Sequence, residues 1–256
     1  MACRLTRQRA GTWMTAGHGW AKVSHGGKHM NQPVECAKCS TLVCRTERPD
    51  AGPPNCPTKT RGGVVAEAAR EYEKEEVRAL GRNIALQGYG GYIDLDIGST
   101  PLNTRVEEVI GLSRRMGYSK LGIAFCSGLH NEARFLAEIL EKRGFEVASV
   151  SCEAGALSLE QVGIERDEKF AGSAYNNRLA PCSGIVQAKI LNSECTAFNV
   201  LVGLCVGQDY LFFKYSDAPG TVLIAKDRVM GHNPVAALNQ SHAYYHRILR
   251  PGKQET

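Results

Sequence analysis

The chain runs to 256 residues, with 31 basic and 26 acidic side chains, a formal charge of +5 and ten cysteines. That length allows one large domain, or a domain with an appended module, and ample apolar content for a core. The charge is not a nucleic-acid footprint: residues 1–30 hold five Lys/Arg and no acid, and residues 31–256 balance at 26 of each sign. Phosphate binding needs a basic surplus on one face.

Residues 1–30 are rich in Gly, His and Arg and contain no apolar run, so neither a secretory core nor a membrane span is expected there. They read as a disordered extension, with Met30 an alternative start, and the chain as cytoplasmic with no membrane partner. Residues 31–62 read as a cysteine-rich module. Cys36, Cys39, Cys44 and Cys56 fall in the spacing C-x2-C-x4-C-x11-C with almost no large apolar residue between them. A segment this polar cannot close by burial, and thiolates around a metal are the usual alternative. The single C-x2-C turn and the Cys56-Pro57 pair suit an iron–sulfur cluster somewhat better than a two-knuckle zinc site, but zinc stays open. A pair of disulfides would instead require export.

An α/β domain is expected over 63–245, followed by a tail at 246–256. Residues 64–87 read as one long charged helix with a thin apolar stripe (Val65, Ala69, Tyr72, Val77), broken at Gly88-Tyr-Gly-Gly91. Thr104-Arg-Val-Glu107 matches a capping box that opens a helix to about Met116. Lys120–Cys126 is a short apolar strand. Leu129, Ala133, Leu136, Ala137 and Leu140 mark the helix after it, and Gly144 ends that helix. Phe145–Cys152 is the second strand, followed by a long polar stretch through Asn177 of the kind that is usually functional or mobile. A helix over Ile185–Glu194, a strand over Phe198–Cys205, a short helix over Gln208–Tyr215, a strand over Thr221–Asp227 and a helix from Pro234 complete the alternation. Apolar strands alternating with amphipathic helices predict a parallel-sheet α/β domain, Rossmann-like or flavodoxin-like.

The strand ends carry the chemistry. Cys126, Cys152 and Cys205 each end a predicted strand, and Cys182 lies where the polar stretch meets a helix. Ligands collect at the carboxyl ends of parallel strands, so these thiols point to one edge of the sheet. Cysteine is also a small hydrophobe at home in strands, a reading that covers Cys195 well. Ser127-Gly128 places Cys126 before a helix start, which makes it the expected acidic, reactive thiol. Asp209 and His232 follow the third and fourth strands and could line the same site. As turn and cap residues they have a structural explanation too. His130, one turn after Cys126, reads as a surface histidine more readily than as a base.

Several blocks together resemble a family of uncharacterised prokaryotic metal-binding proteins, many from anaerobes. They are Cys36-Ala-Lys-Cys39 with Cys44 and Asn55-Cys56-Pro57-Thr58, Thr104-Arg-Val-Glu-Glu108, Gly122-Ile-Ala-Phe-Cys126-Ser-Gly-Leu129, Gly203-Leu-Cys205-Val-Gly-Gln-Asp209, and Lys226-Asp-Arg-Val-Met-Gly-His232-Asn-Pro234. The likeness spans about Val34 to Leu238 and implies metal binding through the cysteines; Cys152 and Cys182 also match family cysteines. Gln208 departs from the family, which has His before Asp209.

Two functions follow. The first is a metal-dependent enzyme or redox protein with an iron–sulfur cluster or zinc on Cys36, Cys39, Cys44 and Cys56. A second cysteine-lined site would then serve redox or sulfur chemistry with a redox partner or small ligand. The alternative is a non-enzymatic sensor of a small ligand with a structural zinc site.

Overall fold

The structure, a computed structural model, describes residues 33–46, 48–165 and 180–250, which fall into two compact units, 33–86 and 87–250. The extension expected over 1–30, part of the polar stretch before Asn177 and the end of the tail lie outside the described residues. Among the described residues no helix is long and apolar enough to cross a membrane.

The first unit holds three 3-10 turns (Cys36–Lys38, Val43–Arg45, Pro49–Ala51) and helices α1 (Pro57–Thr60), α2 (Gly62–Glu71) and most of α3 (Glu75–Tyr89). It closes largely through polar contacts, as so apolar-poor a segment must. Asn55 reaches Glu35 at 3.5 Å, Lys59 Nζ donates to the Gly52 carbonyl at 3.0 Å, and the Thr60 hydroxyl donates to the Cys56 carbonyl. Gly52 is small because a Cβ there would sit 3.1 Å from both Cys56 Sγ and a Val43 methyl. The single helix expected over 64–87 is two. The break falls at Tyr72–Lys74, inside a run of acids, and the Tyr72 ring lies over Gly81, where a Cβ would come within 2.7 Å of it.

In the second unit a hairpin of β1 (Tyr92–Leu95) and β2 (Gly98–Pro101) precedes the α/β core. The alternation Tyr92-Ile-Asp-Leu95 carries a strand period that the glycine-rich reading passed over. Helix α4 (Arg105–Arg115) opens on the expected capping box: Glu107 accepts from the Thr104 amide at 2.8 Å, and Thr104 Oγ1 accepts from the Glu107 amide. Arg105 then ties this end to β6 (Gly220–Ile224), donating to the Val222 carbonyl at 3.0 Å and to the Thr221 hydroxyl at 2.8 Å.

The chain continues β3 (Lys120–Phe125), α5 (His130–Lys142), β4 (Glu146–Ser151), α6 (Gly184–Ser193), β5 (Phe198–Val202), α7 (Gln208–Tyr215), β6 and α8 (Pro234–Asn239). The four parallel strands lie in the order β4-β3-β5-β6. This is an α/β domain with a parallel sheet, consistent with a Rossmann-like fold. Central β5 is buried throughout and β3 nearly so, as their largely apolar sequences suit, whereas edge strand β4 is partly exposed. Leu129, Ala133, Leu136 and Leu140 bury against the sheet on the predicted helical spacing. The sheet also buries one polar side chain at no loss of pairing: Asn199 on β5 accepts from Thr196 Oγ1 at 2.8 Å and donates to Ser216 Oγ at 2.9 Å. Gly122 on β3 makes room for it, since a Cβ there would lie 2.0 Å from Asn199 Oδ1.

Candidate metal and thiol site

The order β4-β3-β5-β6 places β3 between β4 and β5, so the chain reverses its lateral direction between β3 and β5. In an open parallel sheet the carboxyl ends at such a reversal form a crevice with no connection crossing it. Cys126 follows β3 directly and Cys152 follows β4 directly, while Cys205 lies just past β5. Backbone bonds hold each in place. The Cys126 amide donates to the Val202 carbonyl at 3.0 Å, extending the β3–β5 ladder, and the Cys205 carbonyl accepts from the Gln208 amide at the start of α7. Cys182 is brought in from the far side of the polar stretch because the next amide, Ser183, donates to the Cys152 carbonyl at 2.8 Å. The Ser183 hydroxyl caps α6 by accepting from the Val186 amide.

The thiols therefore converge. Cys182 Sγ and Cys152 Sγ lie 3.4 Å apart, and Cys126 shares a hydrogen bond with Cys152. The Ser127 amide donates to Cys152 Sγ at 3.5 Å. Two cations from the loop after β6 face the outer sulfurs: Lys226 Nζ donates to Cys126 Sγ at 2.7 Å, and Arg228 Nη2 to Cys205 Sγ at 3.0 Å. Among the described residues, the group whose ligand atoms all lie within 4.8 Å of one another is Cys152, Glu153 and Cys182, a set capable of coordinating a metal.

Ionisation in the cluster runs opposite to the expectation for Cys126. Its thiol is pushed up to about 12, because it donates to Cys152 and is buried, and Lys226 and the Gly128 amide only partly offset this. Cys152 is lowered by its contact with Cys126, yet its contact with Cys182 and burial leave it above its ordinary value. Cys182 falls below its ordinary value through its hydrogen-bonded contact with Cys152, which outweighs burial. Donors at a helix start make a thiol acidic only where they outweigh its burial and its own donation, and at Cys126 they do not.

The remaining candidates are spread more widely. Asp209 Oδ1 accepts from the Gly207 and Tyr210 amides at 3.0 and 2.8 Å, capping α7. His232 sits at φ 65° with Nδ1 accepting from the Asp227 amide at 3.1 Å, and Asp227 in turn accepts from the Val229 and Met230 amides. Both are held in local turns. His130 is an exposed residue whose ring meets Phe125 edge-on. Cys195 precedes β5, at the opposite end of the sheet from the site. Gln208 accepts from the Gly184 amide at 2.7 Å and so joins α7 to α6.

In the first unit, Cys36 and Cys44 are exposed and Cys39 and Cys56 half-buried. Among the described residues no three of these sulfurs share the 4.8 Å spacing of the strand-end group, although Cys56 feels the charge of Cys39. Cys39 is lowered by its contact with the Thr41 hydroxyl and by the Leu42 and Thr41 amides, and Cys56 by the Thr58 hydroxyl and amide.

Sequence reasoning missed Glu153, Lys226, Arg228 and Gln187 as parts of the strand-end site. Gln187 is fully buried on α6 and donates through Nε2 to the carbonyls of Phe125 (3.1 Å) and Val150 (2.8 Å), at the ends of the two strands that carry Cys126 and Cys152. A Gln among the apolar positions of a short helix was the signal available.

A protein-family model described as "Protein of unknown function (DUF1847)" matches residues 56–223. That range holds the strand-end thiols and Cys56, and leaves Cys36, Cys39 and Cys44 outside. A relative described as "Uncharacterized protein MJ0455", from Methanocaldococcus jannaschii, is 38% identical over 221 residues, covering 86% of this chain and all of the relative. No solved structure matches the chain.

Proposed function

This chain belongs to the DUF1847 family of proteins of unknown function, and from that premise we propose that it is a metal-dependent redox or sulfur-handling protein whose working site is the strand-end thiol cluster. The observation that carries the reading is the spacing of Cys152, Glu153 and Cys182, with ligand atoms mutually within 4.8 Å. Sulfurs bound to one tetrahedral zinc at about 2.3 Å lie roughly 3.8 Å apart, so the 3.4 Å between Cys152 and Cys182 needs only a few tenths of an ångström to open. Thiolates of a cubane cluster bind different irons and spread further, so a single ion of zinc type fits this edge better than an iron–sulfur cluster. Three protein ligands leave a further position, as catalytic metal sites do, and the ion would supply Lewis acidity there.

The chain's own groups would prepare that position. Lys226 and Arg228 stabilise the negative charge that thiolate ligands build up, and the Ser127 amide orients Cys152. Cys126 and Cys205, each beneath a cation, are the thiols able to complete the ligand set or meet a sulfur substrate. Cys36, Cys39, Cys44 and Cys56 are proposed as a second centre, iron–sulfur or zinc, closed when the metal draws their sulfurs together. Reduced sulfur at both centres calls for a reducing compartment such as the cytoplasm.

Metal analysis of the full chain tests this. Changing Cys152→Ser and Cys182→Ser together is expected to remove one centre and leave the other, and Cys39→Ser to do the reverse. Full metal retention in the Cys152/Cys182 double variant would defeat the strand-end site.

A further inference from the structure

We propose that Cys152 and Cys182 also form a working dithiol, which reduces small anionic disulfides with Cys182 as the attacking thiolate and Cys152 as the resolving thiol. The proposal uses the same strand-end site as the metal reading but does not require a metal there. Thiol–disulfide exchange needs an attacking sulfur that the substrate can reach and a second sulfur held within attack distance of the first. Cys182 is half-buried and so reachable, while Cys152 is 2% exposed and closed to a substrate. Their sulfurs stand 3.4 Å apart, inside the range of about 3–3.5 Å for reacting atoms, and must close to about 2.05 Å to bond. The Ser183 amide on the Cys152 carbonyl holds the two backbones side by side, and the Ser127 amide on Cys152 Sγ stabilises that sulfur as it loses its proton.

The step balances without a metal. Cys182 thiolate attacks one sulfur of R–S–S–R, a Cys182–S–S–R bond forms, and RS⁻ leaves. Cys152 then gives up its proton, attacks Cys182 Sγ and expels the second RS⁻. The protein loses two electrons to the substrate; the Cys152 proton ends on one released RS⁻, and the proton that Cys182 gave to solvent on becoming a thiolate is the one the other can take up. Substrate charge follows from the cations aimed at the neighbouring sulfurs, Lys226 at Cys126 and Arg228 at Cys205, which favour a disulfide bearing carboxylates.

The full chain, reduced, freed of reductant and kept with a chelator, is mixed with an excess of an aromatic dicarboxylate disulfide that releases a coloured thiol, and peptides are mapped by mass. The expected product carries a Cys152–Cys182 link, and Cys152→Ser is expected to trap the mixed disulfide on Cys182. The anionic-to-cystamine rate ratio at Cys182, divided by the same ratio at exposed Cys36, should be about tenfold at low salt, which removes the difference in leaving group, and should narrow as salt rises. Exposed Cys36 and Cys44 report that the reagent is active. If they react while no Cys152–Cys182 link forms and no adduct is trapped on Cys182, the dithiol is overturned. A normalised ratio near one would overturn the anionic specificity. Because metal content is scored separately, failure here leaves the metal site standing, and loss of the metal site leaves this result standing.

Discussion

Lys226 Nζ stands 2.7 Å from Cys126 Sγ, joining the ends of β6 and β3, two strands that are not neighbours because β5 lies between them. The contact reaches across the crevice at the reversal point and makes Lys226 part of the cluster rather than of the loop that carries it. Even so, the cation does not make Cys126 the acidic thiol, because donation to Cys152 and burial outweigh it.

That balance sets a pH order. Alkylation follows the thiolate fraction, so between about pH 7 and 10 Cys182 is expected to label well ahead of Cys126. Cys126 should accelerate only as pH climbs toward about 12. Site-resolved labelling checks this, and early labelling of Cys126 would contradict it. The linkage has the matching sign. The folded chain holds the Cys126 proton above the ordinary value of 9.0, so this contribution to stability is intact below pH 9.0 and lost as pH rises toward about 12.

Gln187 is a clamp on the two strand ends. Gln187→Leu removes both donors from the Phe125 and Val150 carbonyls while keeping most of the volume. Leaving two buried acceptors unpaired is expected to cost about 2–3 kcal/mol, read as a lower midpoint in urea. Gln187 Oε1 has no hydrogen-bond partner among the described residues, so its loss costs nothing further.

Two glycines should answer in opposite directions. A Cβ at Gly184 would lie 2.2 Å from the Gln208 backbone oxygen, where nothing can yield but the α6–α7 packing itself. Gly184→Ala is expected to destabilise by about 3 kcal/mol. Gly63, inside α2, has nothing within 4 Å of such an atom, and Gly63→Ala should gain about 0.5 kcal/mol. Thermal melts of the two variants would show the opposite shifts.

At the proposed N-terminal centre, the Thr58 hydroxyl is the largest cause of the lowered Cys56 thiol. Thr58→Val should raise Cys56, make its thiolate harder to form and move the midpoint of metal uptake to higher pH. A titration of metal uptake against pH, showing an unchanged or lower midpoint, would contradict that.

The cysteine spacing, the capping box at Thr104 and the alternation of apolar strands with patterned helices were legible from the chain alone, because local periodicity and turn chemistry are local properties. So was the placement of Cys126, Cys152 and Cys205 beyond the carboxyl ends of their strands, since parallel strands must end on one side. The break at Tyr72 was not, because it depends on a ring folding back over Gly81 rather than on helix propensity. Nor was the ionisation order: a pKa is set by which neighbour donates to which. The partners of these sulfurs come from residues far apart in sequence, such as Lys226 and Arg228. Strand order, which the sequence leaves open, decided that Cys126 and Cys205 flank the crevice and that Cys152, one strand over, becomes the buried middle thiol. Only the folded sheet brings Cys182 to it across the intervening polar stretch.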